Sequence, residues 1–251
     1  MKLYEALDIT LKENELICFV GAGGKTTALF RLAKELKACN KRVLVTTTTA
    51  IYSPDARDCD QVILDIEKDS DVLKRINGPC ICVFGRQVTA DNKLLGIDKE
   101  VVTELYLKTV FDYILVEADG SRQRPIKAPA DHEPVIPNGT TKTVGVIGLD
   151  AFGEQISSDS VHRTEHFCRL TRRSMGDRID GEVLAKLILA PDGLFKLVPD
   201  GSQNYVLFNK ADNRERQKSA SCIIETVTRD DFGGLNFIIT DMLKGSISKI
   251  L

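Results

Sequence analysis

The sequence predicts an α/β fold, a mostly parallel sheet with helices on both faces, from three observations. Short apolar runs alternate with helix-patterned stretches along a chain of 251 residues. Those runs are near-continuous in Val, Ile and Leu, as in strands buried on both faces, with no wet side to alternate toward. The segments richest in chemistry-bearing residues begin where a strand run stops, and open parallel sheets bind ligands at the carboxyl ends of their strands. The predicted strands are 16–20, 43–47, 62–65, 80–84, 113–117, 143–148, 205–209 and 235–240. The predicted helices are 25–37, 68–76, 98–109, 181–189 and 213–228. Right-handed crossovers would bring all the strand ends to one edge.

The first strand run, Leu16-Ile17-Cys18-Phe19-Val20, leads into Gly21-Ala22-Gly23-Gly24-Lys25-Thr26-Thr27 and then a helix-like segment. This is a phosphate-binding loop. Backbone N–H groups in such a turn converge on one concavity at the positive end of the following helix. Glycines admit the close approach of phosphate oxygens that a Cβ would block. Lys25 reaches the β- and γ-phosphates and the Thr26 hydroxyl ligates Mg2+. One departure from G-x-x-x-x-G-K-[ST] is Phe19, which stands where the first glycine belongs, so Gly21 is expected to make the turn. The fold expected is that of the P-loop nucleoside triphosphatases, a Rossmann-like three-layer arrangement.

The strand Tyr205-Val206-Leu207-Phe208 runs into Asn209-Lys210-Ala211-Asp212, the N-K-x-D pattern that reads guanine. Guanine offers N1–H and N2–H2, two donors that the Asp212 carboxylate accepts side by side. Adenine presents an acceptor at N1, so the same carboxylate would stay unpaired, which makes ATP the less favoured ligand. Asn209 would bond the other edge of the base and the phosphate-loop backbone, with the Lys210 stem over the base face. A third strand, Tyr113-Ile114-Leu115-Val116, ends in Glu117-Ala118-Asp119-Gly120. Nucleotide triphosphatases hold Mg2+ with an acid at this strand end. Either Glu117 or Asp119 suits the metal side, and the other would position the attacking water; Glu117 with Thr26 is taken as the metal pair, and Lys25, Glu117 and Asp119 as the catalytic set.

The ordered set GAGGKTT, VLVTTTT, VEADGS and FNKAD resembles the metallochaperone-type branch of P-loop GTPases, which contains nickel-insertion GTPases of urease and hydrogenase. More closely, the chain is similar to the YqeC family, accessory proteins for selenium-dependent molybdenum hydroxylases. The passages carrying that likeness are Val20 to Thr27, Val43 to Pro54, Leu115 to Pro137 and Phe208 to Asp212; the third, LVEADGSRQRPIKAPADHEPVIP, is the most specific. The resemblance implies Mg2+-GTP binding and hydrolysis, a client protein in hydroxylase maturation, and by analogy a nucleotide-gated homodimer. Two other functions remain open, a nucleotide-dependent transferase or kinase acting on a small cofactor precursor, and a non-hydrolysing nucleotide-binding scaffold.

Composition fits a cytoplasmic enzyme. Hydrophobic content of 43% supports a sizeable core, and 251 residues suit one large domain, 1–251, with a loop-rich insertion around 120–180. A net charge of −2 with mixed signs argues against nucleic acid. No run approaches the roughly 20 apolar residues of a membrane span, and the N-terminus has no signal-peptide profile. Seven cysteines without regular spacing read as reduced thiols. Cys80 and Cys82 are read as projecting to opposite strand faces, hence as no metal hook, while His162 and His166 are spaced to share a helical face near Cys168. Thr46 to Thr49 are balanced between strand packing and a place near the γ-phosphate. Arg122, Arg124 and Lys127 are balanced between solvated loop cations and phosphate-stabilising ones. Lys127, Asp131, His132 and Glu133, in the long Pro125 to Pro137 loop, are expected to serve a substrate or partner.

Overall fold

A computed structural model describes residues 1–64, 73, 76–229 and 234–250. The chain begins with α1 (Leu3–Ala6), β1 (Glu15–Gly21), α2 (Lys25–Ala38), β2 (Arg42–Thr47), β3 (Ala50–Tyr52) and β4 (Gln61–Leu64). It continues through β5 (Cys80–Gly85), β6 (Gln87–Val88), β7 (Lys93–Leu95), α3 (Lys99–Leu107) and β8 (Tyr113–Glu117). Next come β9 (Ile126–Lys127), β10 (Lys142–Gly148), a 3-10 turn (Leu149–Ala151), β11 (Val161–His162), α4 (Thr164–Thr171) and α5 (Gly181–Leu189). The last elements are β12 (Gln203–Asn209), α6 (Arg214–Thr228), β13 (Leu235–Asp241) and β14 (Ser246–Ile250).

Nine strands form one sheet in the order β14-β13-β12-β10-β1-β8-β2-β5-β4. Every neighbouring pair is parallel except β13 with β14. The alternation of side chains along a strand divides the core. In β1, Leu16, Cys18 and Val20 point into one cluster with residues of α3, α5 and α6, such as Val102, Leu184 and Ile223. Ile17 and Phe19 point into the other, against Leu29, Leu32 and Leu36 of α2 and Leu3 of α1. The expected architecture is therefore the one observed, a mostly parallel sheet with helices on both faces.

The eight predicted strands correspond to β1, β2, β4, β5, β8, β10, β12 and β13, and four predicted helices to α2, α3, α5 and α6. The helix expected over 68–76 lies outside the described residues, apart from positions 73 and 76. Strand β14 escapes a search for apolar runs because Ser-Ile-Ser-Lys-Ile is mostly polar, as suits an edge strand. The loop-rich stretch 120–180 is in two parts, because β10 within it lies in the sheet centre beside β1. The short β9 and β11 pair with each other, parallel and away from the main sheet, as a small wing. β3, β6 and β7 make a second small sheet, antiparallel.

This topology sets the chemistry on one edge. β1 lies between β8 and β10, and the loop after β1, the acids after β8 and the Asn209 turn after β12 all leave parallel strands at their carboxyl ends. No helix among the described residues is long and apolar enough to cross a membrane.

Candidate functional site

The glycine turn after β1 has the conformation that its composition requires. Gly21, Gly23 and Gly24 have φ of 87°, 86° and 124°. At Gly23 a Cβ would lie 2.3 Å from the Gly148 nitrogen, and at Gly24 a Cβ would lie 2.3 Å from Asn209 Nδ2. Phe19 stays in the strand and is fully buried, so the turn starts at Gly21. The Gly21 N–H donates to Asp119 Oδ2 at 3.1 Å and the Ala22 N–H to the Val146 carbonyl at 2.9 Å. Gly24 is the N-cap of α2 and supplies no side-chain cap, and the first turn holds no acid. The first N–H groups of a helix lack intrahelical acceptors. Here they end, with the positive pole of a 14-residue helix, at a cleft of about 1150 Å3 that Gly23 to Thr27 line.

Lys25 is almost fully buried and turned toward the acids after β8. Its Nζ donates to the Gly21 carbonyl at 2.6 Å and lies 3.0 Å from Asp119 Oδ1 and 3.6 Å from Glu117 Oε1. Burial by itself would lower the lysine pKa, but Asp119 and Glu117 outweigh it and hold the ammonium above its ordinary value. The Thr26 hydroxyl donates to Glu117 Oε2 at 2.7 Å. Burial raises Glu117 above the usual carboxylate range despite Lys25 and Thr26. Lys25, Thr26, Glu117 and Asp119, distant in sequence, thus meet at one point.

The ion pairs continue beyond that point. Lys127 Nζ lies 2.9 Å from Asp119 Oδ2 and 2.7 Å from Glu133 Oε2, its side chain fully buried. Glu133 is in turn clamped by both guanidinium nitrogens of Arg163. The result is an alternating row, Glu117, Lys25, Asp119, Lys127, Glu133 and Arg163, from the glycine turn to the N-cap of α4. Lys127 is therefore no solvated cation. Its strand residues pair with β11, Lys127 opposite His162, which fixes its direction. Asp131 and His132, expected to act with it, are exposed.

Glu133 carries a measurable consequence. Burial disfavours its charge, but the hydrogen bonds and charges of Arg163 and Lys127 prevail and hold the carboxyl at about 2, against an ordinary 4.5. A carboxyl depressed on folding stabilises the fold above its unfolded value and loses that contribution as pH falls toward the folded one. Between pH 4.5 and 2 the wild-type chain should therefore lose up to about 3 kcal/mol that Glu133→Gln does not lose. Urea midpoints across that range test it; equal acid limbs for both chains would rule it out.

The predicted base-reading residues divide. Asn209 is buried; its Nδ2 donates to the Gly23 carbonyl at 2.8 Å and its Oδ1 accepts from the Met242 N–H at 3.2 Å. It ties the phosphate loop to the end of β13. Lys210 has φ of 63°, pairs with Asp150 at 2.6 Å and lines the cleft. Asp212 is not brought into the cleft. It is exposed, and its Oδ1 accepts from Arg216 at 2.9 Å and from Asn213 at 3.1 Å.

The threonine run also divides. Thr46 and Thr47 are fully buried and bond the carbonyls of Phe84 and Glu117, while Thr48 bonds the Val135 carbonyl. Thr49 lines the cleft. His162 and His166 fall in β11 and α4, so they share no helical face. Cys80 and Cys82, read as opposed, share a face with their sulfurs 3.8 Å apart, because residues two apart on a strand point the same way. No group of three or more His, Cys, Asp or Glu is placed to hold a metal ion among the described residues.

The cleft contrasts with the chain's net negative charge. Lys25, Lys93, Arg122, Arg124, Arg163 and Lys210 line it, against the two carboxylates Glu117 and Glu133. Walls of one sign focus potential and concentrate counter-charged ligands. Arg122, Arg124, His162 and Arg163 were poorly visible in the sequence as cleft residues because β9, β11 and their pairing are too short for any periodic signal.

A family model described as YqeC protein matches residues 17–165. The match takes in the glycine turn after β1 and all six members of the ion row, and stops before Asn209. "Uncharacterized protein YqeC" of Escherichia coli (strain K12) is 32% identical over 220 residues, covering 88% of this chain and 85% of that protein. No solved structure matches the chain. By the extent of both similarities, the chain belongs to the YqeC family.

Proposed function

We propose that this protein is a P-loop nucleoside triphosphatase that binds and hydrolyses Mg2+-GTP, and that it assists the maturation of a selenium-dependent molybdenum hydroxylase. One observation carries the nucleotide reading. An uncapped, acid-free helix N-terminus, a glycine turn packed too closely on Gly148 and Asn209 to admit a Cβ, a buried lysine and a Thr–Glu pair meet at the mouth of a cationic cleft. These residues fit a magnesium-bound triphosphate in kind: N–H donors and a lysine for phosphate oxygens, and hard oxygen ligands, Thr26 and Glu117, for the ion. Magnesium bound there neutralises charge on the β- and γ-phosphates. Lys25 would exchange its carboxylate partners for phosphate oxygens, and Asp119, so released, would accept a proton or hydrogen bond from water.

Guanine is the base the N-K-x-D run favours, and Asn209 already holds the phosphate loop as that motif requires. Asp212 must leave Arg216, and a half-exposed ion pair of this kind costs at most about 1 kcal/mol to open. The hydroxylase role rests on family likeness, a homodimer on analogy with related GTPases, and a cytoplasmic site of action on composition. Isothermal titration with GTP and ATP, with and without Mg2+, tests the nucleotide reading. GTP should bind at least about tenfold tighter than ATP, with Asp212→Asn erasing the preference. Equal binding of ATP would remove guanine; binding of neither would remove the nucleotide.

A further inference from the structure

Resting on that nucleotide reading, we infer that the cleft holds a second ligand beside the triphosphate, a small oxyanion bound by Arg122, His162 and Arg163. The first reason is room. A cleft of about 1150 Å3 exceeds the roughly 300–1,000 Å3 of ordinary small-ligand sites. The second is charge left over. With Lys25 given to phosphate, Lys210 to a base and Arg163 shared with Glu133, Lys93, Arg122 and Arg124 still face the same space. Arg124 meets Asp159, whose side chain is 87% exposed, a pairing that water weakens. Arg122 has no ion-pair partner among the described residues.

Backbone conformation points the same way. Arg122, Gln123 and Arg163 have φ of 49°, 61° and 62°, in the left-handed region that side chains other than Gly and Asn rarely adopt. All three line the cleft, on the segment after Gly120 and on the N-cap of α4. Such strain persists where surrounding structure over-determines it, and it gathers at ligand sites. His162 sits between them on β11, half-buried, and burial together with Arg163, Lys127 and Arg122 holds it at about 4. At neutral pH it is an uncharged imidazole, a donor to an oxyanion from one nitrogen and an acceptor at the other. Residues of this wing and of the glycine turn line one cleft, so the second ligand would share that space with the triphosphate.

The test is calorimetric titration of inorganic phosphate into the full chain preloaded with Mg2+ and a non-hydrolysable GTP analogue. Acetate is titrated in parallel, to tell a phosphate-type from a carboxylate-type ligand. One anion should bind per chain, and Arg122→Ala should weaken it at least tenfold while the analogue's affinity changes less than threefold. Arg122 is exposed and outside the buried ion row, so its removal spares the fold. Should the analogue fail to bind, the same titrations into nucleotide-free wild-type and Arg122→Ala protein read the wing, as the share of anion binding that depends on Arg122. The inference is overturned by no saturable anion binding in either preparation. It is equally overturned if anion binding is lost on loading with the analogue, or if Arg122→Ala weakens analogue and anion alike, since both assign the arginines to the γ-phosphate.

Discussion

Replacing Lys127 by methionine should destabilise the fold by about 3–5 kcal/mol, the cost of stranding a buried ion. Its ammonium, with no exposed surface, lies between Asp119 and Glu133 at 2.9 and 2.7 Å. Methionine matches the stem in volume and leaves the core filled, so the loss isolates charge. Three acids, Glu117, Asp119 and Glu133, would then share Lys25 and Arg163, in a space where water cannot compensate. For a chain of this size the midpoint of thermal unfolding should fall by roughly 10 °C. A solvated loop lysine would change stability by no more than about 0.5 kcal/mol, and a result that small would dissolve the ion row. The partner substitution sharpens the result. Adding Glu133→Leu to Lys127→Met removes both members of one pair and leaves Arg163 with access to water, so part of the loss should return, because deleting a whole buried pair is often close to neutral. A double variant no more stable than the single one would show that Glu133 and Lys127 do not act on each other.

The main sheet was legible because its strands carry their own signal. Leu16 to Val20 and Tyr205 to Phe208 are apolar on both faces, which a parallel sheet clad by helices imposes on its central strands. The glycine turn after β1 was legible for a different reason: only glycine tolerates the dihedrals and contacts found at Gly23 and Gly24. The ion row was not. Nothing in the residue types of Lys127 and Glu133 separates a buried pair from two loop charges; what buries them is the β9–β11 pairing, a contact across 34 residues made by strands of two residues each. Arg163 joins through a left-handed backbone turn that no periodicity encodes. The N-K-x-D run shows the opposite limit. Its letters predict a guanine reader, yet Asn209 bonds the Gly23 carbonyl and Asp212 is engaged with Arg216 one helical turn along, a choice of rotamer that composition does not contain.

Lys25 and Asp119, 3.0 Å apart, should answer to mutation with opposite signs. Lys25→Ala removes the ammonium meant for the phosphates, and the affinity for Mg2+-GTP should fall at least about 100-fold, the worth of one or two charge-assisted hydrogen bonds. Asp119→Asn keeps the shape but removes the charge that now holds that ammonium. Asp119 Oδ1 is ion-paired with Lys25 yet completes no hydrogen bond, so the pair is bound by charge more than by geometry. Without that charge Lys25 is freer to turn to a ligand, and affinity should rise by about five- to tenfold, or roughly 1 kcal/mol, even as turnover drops through loss of the water-side acid. Titration of both variants with a non-hydrolysable GTP analogue reads the two effects without turnover. Should Asp119→Asn weaken binding instead, and do so only when Mg2+ is present, Asp119 serves the metal and Glu117 the water. The pKa of Glu117, raised by burial, suits that exchange, because a carboxyl that gains a proton readily is a good proton acceptor.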